Sequence, residues 1–191
     1  AATTADEAKR SSFEDAQVLG RELGAVLSAS CAAGEPMSDK AVELLRALVS
    51  TTAGARGWFV TLLTDPDFDA VFRPPLDESL LKAISDNPDP NIKLMTMNVA
   101  MSTATELAHL ERGNPDLAAA SRMTRDRSTV LLAELLGRLP GLRESVDALR
   151  SAVQADHPSP DKEWVAFCKK WGYNLEQREA IRKQVEPLLS S

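Results

Sequence analysis

The sequence has 191 residues, of which 43% are hydrophobic, 26% are charged and only 5% are aromatic. These values exclude a disordered chain, and the formal charge of −6 at pH 7 argues against general affinity for nucleic acid or anionic lipid. Alanine and leucine are abundant, while aromatic residues, which favour strands, are few, so the composition favours an all-α fold. No run of 18 apolar residues occurs, and the sequence therefore predicts no transmembrane segment.

The first half of the chain contains four predicted helices, which follow small polar residues that predict a loose N-terminal segment over residues 1–11. Ser12 and Ser38 stand directly before amphipathic patterns and are expected to cap the first two helices. The apolar run "WFVTLL", residues 58–63, predicts a short helix, with a buried strand as the alternative. Asp77 is expected to cap the fourth helix, and turn residues then lead into the second half.

A long helical hairpin dominates the second half. Asn91 is expected to cap a helix over residues 92–112, and a second long helix follows. The motif "GNP" at residues 113–115 joins them, because Gly favours the position just past one helix and Pro the first position of the next. Three further amphipathic patterns follow, at residues 142–153, 161–171 and 175–189. We therefore expect residues 12–191 to form a single-domain helical bundle of about seven to nine helices, with the antiparallel hairpin 92–139 at its centre.

A polar stripe runs along the first helix of the hairpin and faces arginines on the second. Side chains three or four residues apart share one helix face, and the turn folds the second helix back against that face. Guanidinium groups and hydroxyls together suit a phosphate or a carboxylate, so this seam is a candidate site for a small anionic ligand. The alternative is that Glu106, Arg122 and Asp126 pair with one another on a solvated face. The candidate ligand-binding residues are Ser102, Thr105, His109, Arg112, Arg122 and Arg125.

The segment "KEWVAFCKKWGYNLEQR" combines aromatic and basic residues near the C-terminus. Its aromatic side chains follow a helical spacing that is typical of a face closing a bundle, and we expect at least one of Trp164 and Trp171 to be buried. The other tryptophan is a candidate contact for an acidic protein partner, because tryptophan and tyrosine are favoured at interface hot spots. The candidate partner-binding residues are Trp164, Lys169, Lys170, Trp171 and Tyr173.

Catalytic and metal-binding patterns are missing from the sequence. His109 and His157 are the only histidines, and no Ser-His-Asp spacing, paired-histidine face or glycine-rich phosphate loop accompanies them. Cys31 and Cys168 lie in amphipathic patterns and are interpreted as buried structural thiols rather than a disulfide or a reactive pair. The sequence therefore predicts no metal ion, no cofactor and no catalytic residue.

Four short motifs carry a resemblance over residues 57–135: "GWFV", "LLTDP", "MNVAMSTA" and "HLERGN". In order and spacing they resemble an uncharacterised all-helical family of cyanobacteria and plastids. The resemblance implies a photosynthetic lineage and, for a plastid protein, the chloroplast stroma, which also suits a processed start at Ala1. It implies no activity, cofactor or catalytic residue.

The leading functional hypothesis is a soluble, non-enzymatic interaction or assembly protein that binds a protein partner in the chloroplast stroma or a cytoplasm. It depends on the missing catalytic patterns and on the aromatic, basic C-terminal segment. The alternative is a small-anion-binding protein or enzyme that uses the polar seam of the hairpin. A ligand that binds only the folded state raises its stability, so a thermal shift with a phosphate or carboxylate compound separates the two hypotheses.

Overall fold

The computed structural model describes residues 2–191, which form ten α-helices and one 3-10 helix without any strand. This architecture confirms the all-α class, and the run "WFVTLL" lies in a helix. The helices are α1 (Ala5–Lys9), α2 (Phe13–Ala33), α3 (Asp39–Leu48), α4 (Thr52–Thr64), the 3-10 helix (Pro66–Phe72), α5 (Glu78–Ser85), α6 (Pro88–Glu111), α7 (Pro115–Leu135), α8 (Leu142–Val153), α9 (Lys162–Lys170) and α10 (Leu175–Leu189).

Side-chain caps fix several helix starts where the sequence predicted them. The Oγ atoms of Ser12 and Ser38 accept hydrogen bonds from backbone N–H groups three residues later, at 3.1 and 3.2 Å. Asp77 and Asp161 cap α5 and α9 in the same way, each at 3.0 Å. Asn114 precedes α7 as expected, but its side chain makes no capping hydrogen bond. The four capping side chains described first each satisfy a backbone donor that a helix start leaves without a partner.

The structure contains two helices more than the nine that the sequence predicted at most. Helix α1 lies within residues 1–11, where a loose segment was expected, and Thr4 and Glu7 close a capping box around its start. The 3-10 helix occupies a stretch expected to be a loop and buries Phe68, Val71 and Phe72. Both helices are too short to show a periodic pattern of apolar residues, so the predicted number was wrong.

Asn91 does not cap the long helix of the hairpin. Helix α6 begins at Pro88 and departs from helical angles at Asp89, where φ is −92° and ψ is 123°. The Asn91 side chain is fully buried, and its Nδ2 donates hydrogen bonds to the carbonyl oxygens of Val49 at 3.0 Å and Asn87 at 2.7 Å. Val49 is the C-cap of α3. The expected cap was wrong because this amide satisfies the end of another helix instead of the start of its own.

The described chain divides into two compact units. The first comprises the residues up to Leu94 together with Gly137–Leu139, and the second comprises Met95–Leu136 and Pro140–Ser191. The boundary falls inside α6, so no linker separates the units in sequence. A single domain over residues 12–191 stays a prediction.

In the first unit, α2 and α4 approach closely because small residues line their contact. A Cβ atom placed on Gly57 would lie 2.5 Å from the Cβ of Ala16, and one on Gly20 would lie 2.5 Å from Oγ1 of Thr61. Thr61 is buried and donates its hydroxyl to the Gly57 carbonyl oxygen at 2.6 Å. The missing side chains therefore allow the two helices to pack almost backbone to backbone.

In the second unit, α8 packs against α9 and α10, and glutamine side chains of α10 reach the hairpin helices. Gln177 Nε2 donates to the carbonyl oxygen of Ala104 at 3.2 Å, and Gln184 Nε2 donates to Oγ1 of Thr129 at 2.8 Å. Ala104 lies seven residues before the end of α6, whereas Thr129 lies fourteen residues after the start of α7. The N-terminus of α10 therefore points toward the α6–α7 turn.

Candidate functional site

The turn between α6 and α7 has the geometry that the sequence predicted. Gly113 adopts a left-handed φ of 71°, and the N–H of Asn114 donates to the His109 carbonyl oxygen at 2.9 Å. This bond closes the end of α6, and Pro115 then occupies the first position of α7. The turn brings the two helices side by side in opposite directions, because Glu106 on α6 contacts two arginines of α7.

The centre of the hairpin seam is occupied by a buried carboxylate. The side chain of Glu106 is 7% exposed and accepts a 2.7 Å hydrogen bond from Nε of Arg122. Nη1 of Arg125 donates to the other oxygen of the same carboxylate. Arg125 also donates from Nε and Nη2 to one oxygen of Asp126, at 3.1 and 2.8 Å. The hydrogen bond with Glu106 raises the pKa of Arg122 above its usual range.

The remaining residues of the predicted ligand site do not converge in the same way. Ser102 is buried, and its hydroxyl donates to the Asn98 carbonyl oxygen of its own helix at 2.6 Å. Thr105 and Arg112 are exposed, and His109 is half-buried with an Nδ1 atom that has no hydrogen-bond partner. The structure thus brings Arg122 and Arg125 together at Glu106, where the anion was expected. A phosphate or carboxylate ligand would have to displace Glu106 from both guanidinium groups.

The two tryptophans at the ends of α9 have opposite environments. Trp164 is 5% exposed and makes an edge-to-face contact with Phe167, with ring centroids 5.1 Å apart. Phe167 in turn makes an edge-to-face contact with Tyr173 at 5.9 Å. Burial raises the pKa of the Tyr173 phenol well above its usual range. Trp171, in contrast, is 47% exposed. The expectation of at least one buried tryptophan is confirmed, and Trp164 and Tyr173 belong mainly to the packed interior.

The exposed tryptophan lies among basic and apolar side chains, which we call the exposed corner: Lys169, Lys170, Trp171 and Leu175. Nζ of Lys170 lies 5.5 Å from the centroid of the Trp171 ring, within the range of a cation–π contact. Lys169 is also exposed. Leu175, the first residue of α10, is 66% exposed. The corner therefore presents an aromatic ring and an aliphatic side chain beside two positive charges.

Two further leucines are exposed at the same end of the second unit. Leu110 lies in the last turn of α6 and Leu117 in the first turn of α7, and both are exposed. The Gln177–Ala104 and Gln184–Thr129 hydrogen bonds orient α10 so that its start faces the α6–α7 turn. All the large apolar side chains that the described part of this unit exposes therefore lie toward one end.

Leu110, Leu117 and Leu175 were not predicted as contact residues, because the prediction considered only the apolar faces that helices bury. Leu175 illustrates the difference. The stripe of α10 contains Ile181 and Val185, and Leu175 lies six residues before Ile181. Six residues rotate a helix by about 600°, so Leu175 points roughly 120° away from the stripe. That offset was readable in the sequence. The central position of Glu106 could not be read from the sequence. Which side chains of two helices face each other depends on how far each helix is rotated about its axis.

No three His, Cys, Asp or Glu side chains within residues 2–191 are placed to hold a metal ion. Cys31 and Cys168 are free thiols, half-buried and buried respectively, and burial raises the pKa of both. None of the helices formed by residues 2–191 is long and apolar enough to cross a membrane.

A family model described as "Uncharacterised conserved protein UCP020893" matches residues 12–188. The match covers all of α2 to α9 and most of α10. No curated protein and no solved structure matches the chain.

Proposed function

We propose that this chain, which belongs to the family of the uncharacterised conserved protein UCP020893, is a non-enzymatic interaction protein that binds an acidic protein partner through its exposed corner. The observation that carries the proposal is the 47% exposure of Trp171 beside Lys169 and Lys170. A half-exposed tryptophan leaves a large apolar surface in water, and burying such a ring against a partner is a common source of binding energy.

The position of Trp171 explains why packing within the chain does not cover it. Trp164 and Trp171 are seven residues apart, so they lie on nearly the same helical stripe. Trp164 lies in the first turn of α9, whereas Trp171 is its C-cap and Gly172 then turns the chain with a φ of 65°. The stripe therefore continues past the last packed turn of the helix, and its final aromatic ring faces solvent.

The positive charges beside Trp171 favour an acidic partner. Residues 169–175 contain two lysines and no acidic residue, whereas the whole chain has a formal charge of −6. Exposed positive charges beside an apolar anchor accelerate the encounter with a negative surface and suppress binding to a positive one. Lys170 also lies over the Trp171 ring, so a carboxylate that pairs with Lys170 brings its chain against the ring.

The test uses a photo-crosslinking amino acid in the full chain. The crosslinker replaces Leu175 in one variant and Val60, an exposed apolar residue of the first unit, in the matched control. The proposal expects a protein adduct at position 175 only. Mass spectrometry identifies the adduct, and the purified partner is then titrated against the wild type, Trp171→Ala, and Lys169→Glu combined with Lys170→Glu.

The expected partner is acidic, and both corner variants should lose at least tenfold in affinity while their circular dichroism spectra stay unchanged. Equal adducts at positions 175 and 60 would show unspecific contact. A partner whose affinity is indifferent to Trp171 and to the lysines would contradict the proposed surface.

The setting that we propose is photosynthetic: the chloroplast stroma or the cytoplasm of a cyanobacterium. The support is the resemblance of "GWFV", "LLTDP", "MNVAMSTA" and "HLERGN" to a family of cyanobacteria and plastids. Immunodetection in fractionated leaf and cyanobacterial extracts tests it, and signal confined to non-photosynthetic cells would contradict it.

A further inference from the structure

We infer that Ser159, in the loop between α8 and α9, is a phosphorylation site for a proline-directed serine kinase. The sequence around it reads "HPSPDK", and Ser159 is the only serine or threonine of the chain that proline follows. Kinases of this class select proline directly after the acceptor, and many prefer a basic residue three positions after it. Lys162 occupies that position and is exposed.

The side chain of Ser159 is available where most other serines of the chain are engaged. The residue is exposed, and within residues 2–191 its Oγ makes no hydrogen bond, although its backbone N–H donates to Nδ1 of His157 at 3.1 Å. By comparison, the hydroxyls of Ser128 and Ser190 donate to backbone carbonyl oxygens of their own helices, at 2.7 and 3.1 Å. A kinase can therefore reach Ser159 Oγ without unfolding a helix.

The backbone around Ser159 is held in a non-helical conformation. Pro158 and Pro160 fix their own φ angles, and each disfavours the helical region for the residue before it. Asp161 is in the extended region, with φ −63° and ψ 126°, and its N–H donates to Ser151 Oγ at 3.0 Å. The chain bends at Pro158 and Ser159, and the loop thus displays Ser159 on a short, non-helical segment that is anchored at Asp161.

The reaction needs ATP and Mg²⁺ from the kinase. Ser159 Oγ attacks the γ-phosphorus of ATP, and an O–P bond forms while the bond from that phosphorus to the ADP oxygen breaks. The serine proton passes to a carboxylate base of the kinase, and ADP leaves. The product carries a charge of about −2 at the loop, next to the N-terminus of α9. This inference is independent of the exposed corner, which lies at the other end of α9.

The experiment treats the folded full chain with ATP, Mg²⁺ and a cyclin-dependent-type kinase and locates phosphate by peptide mass spectrometry. We expect one phosphate per chain, on Ser159. Ser159→Ala should abolish it, Pro160→Ala should remove most of the rate, and Ser190→Ala, the matched control at an exposed serine without a following proline, should change nothing. Unaltered circular dichroism spectra verify that each variant folds.

Two results would overturn the inference. One is phosphate on other residues with Ser159 unmodified. The other is a folded chain that stays unmodified while a peptide of residues 154–165 is phosphorylated, since the loop would then not be accessible in the folded protein. The protein isolated from its own growing cells gives a second measurement: Ser159 phosphopeptide supports the assignment, and its complete absence contradicts a physiological role.

Discussion

Single side chains at the two ends of α9 have different roles, and their energetics should differ accordingly. Trp164 packs against Phe167 and is almost fully buried, so Trp164→Ala removes a large apolar volume and leaves a cavity. We expect a loss of about 3–5 kcal/mol in the free energy of unfolding. Trp171→Ala removes a half-exposed ring and should cost less than about 1 kcal/mol. Urea unfolding of both variants measures the difference, and equal losses would mean that Trp171 is part of the packed core.

Gly57 is a second residue whose substitution has a definite physical cost. Its Cβ would lie 2.5 Å from the Ala16 Cβ and 2.9 Å from the Ala16 carbonyl carbon, so α2 and α4 would have to separate. We expect Gly57→Ala to destabilise the protein by about 1–3 kcal/mol, despite the better helix propensity of alanine. Gly137→Ala is the matched control, because a Cβ there meets nothing within 4 Å. The midpoints of denaturant unfolding test the pair, and a Gly57→Ala protein as stable as the wild type would contradict the close approach.

At the scale of elements, the α6–α7 hairpin depends on the charge of Glu106. Glu106→Gln keeps the shape of the side chain but leaves Arg122 and Arg125 with a neutral acceptor in a largely buried position. Hydrogen bonds to charged groups contribute about 1.5–3 kcal/mol when buried, and the exposure of Arg122 reduces this, so we expect a loss of about 1–2 kcal/mol. Thermal unfolding compares it with Glu111→Gln, an exposed carboxylate with no ion pair shown in residues 2–191. An equal effect of both substitutions would contradict a structural role for the seam.

The ion pair between Glu78 of α5 and Arg138 gives the first unit a pH-dependent contact. Arg138 donates to both carboxylate oxygens at 2.7 and 2.8 Å, and this hydrogen bonding lowers the pKa of Glu78 from 4.5. A carboxylate with a lowered folded-state pKa stabilises the protein above its unfolded pKa, and the contribution disappears as the pH falls through the folded pKa. Glu78→Gln should therefore lower the melting temperature at pH 7 but hardly at pH 3. Glu22→Gln, an exposed residue without an ion pair in the described chain, should show no such pH-dependent difference.

The hairpin also shows which structural features could be predicted from the sequence and which could not. The Gly113-Asn114-Pro115 turn was predictable, because the backbone angles that Gly and Pro favour are local properties. The pairing of Glu106 with Arg122 was one of two alternatives, because the Glu106 carboxylate lies on the same helix face as the Ser102 hydroxyl. The hydrogen bond from Arg125 to Glu106 was not predicted. Asn91 was misassigned because its partner, the Val49 carbonyl, lies 42 residues earlier in the sequence. Local chemistry therefore predicted helix ends, and non-local contacts decided what the polar side chains bind.

For the whole molecule, the all-α class followed from composition, but the division into two units did not. The boundary between Leu94 and Met95 falls within the continuous helix α6, where no glycine, proline or polar linker marks it. Exposure of apolar residues is equally hard to read from composition. Of the three tryptophans, Trp58 is fully buried, Trp164 nearly so and Trp171 half-exposed. The three tryptophans thus have three different degrees of exposure, which composition alone does not predict.

Because the three tryptophans differ in exposure, the electrostatic potential around Trp171 can be measured without knowledge of the partner. Only Trp171 should be accessible to ionic quenchers of fluorescence, and Lys170 lies 5.5 Å from its ring. The overall charge of −6 would repel iodide and attract caesium, whereas Lys169 and Lys170 should do the opposite near the ring. At an ionic strength of about 0.1 M, charges beyond about 10 Å are screened, so the lysines should dominate.

We therefore expect iodide to quench the protein more strongly than caesium, when each is normalised to the quenching of free N-acetyl-tryptophanamide. Trp171→Phe should remove most of the quenching by both ions. Lys169→Gln combined with Lys170→Gln should keep Trp171 accessible but abolish or reverse the preference for iodide, since only the distant acidic groups then act on the ions. A wild-type protein that caesium quenches more strongly would show that the corner is not electropositive, and an acidic partner would then have no electrostatic reason to bind there.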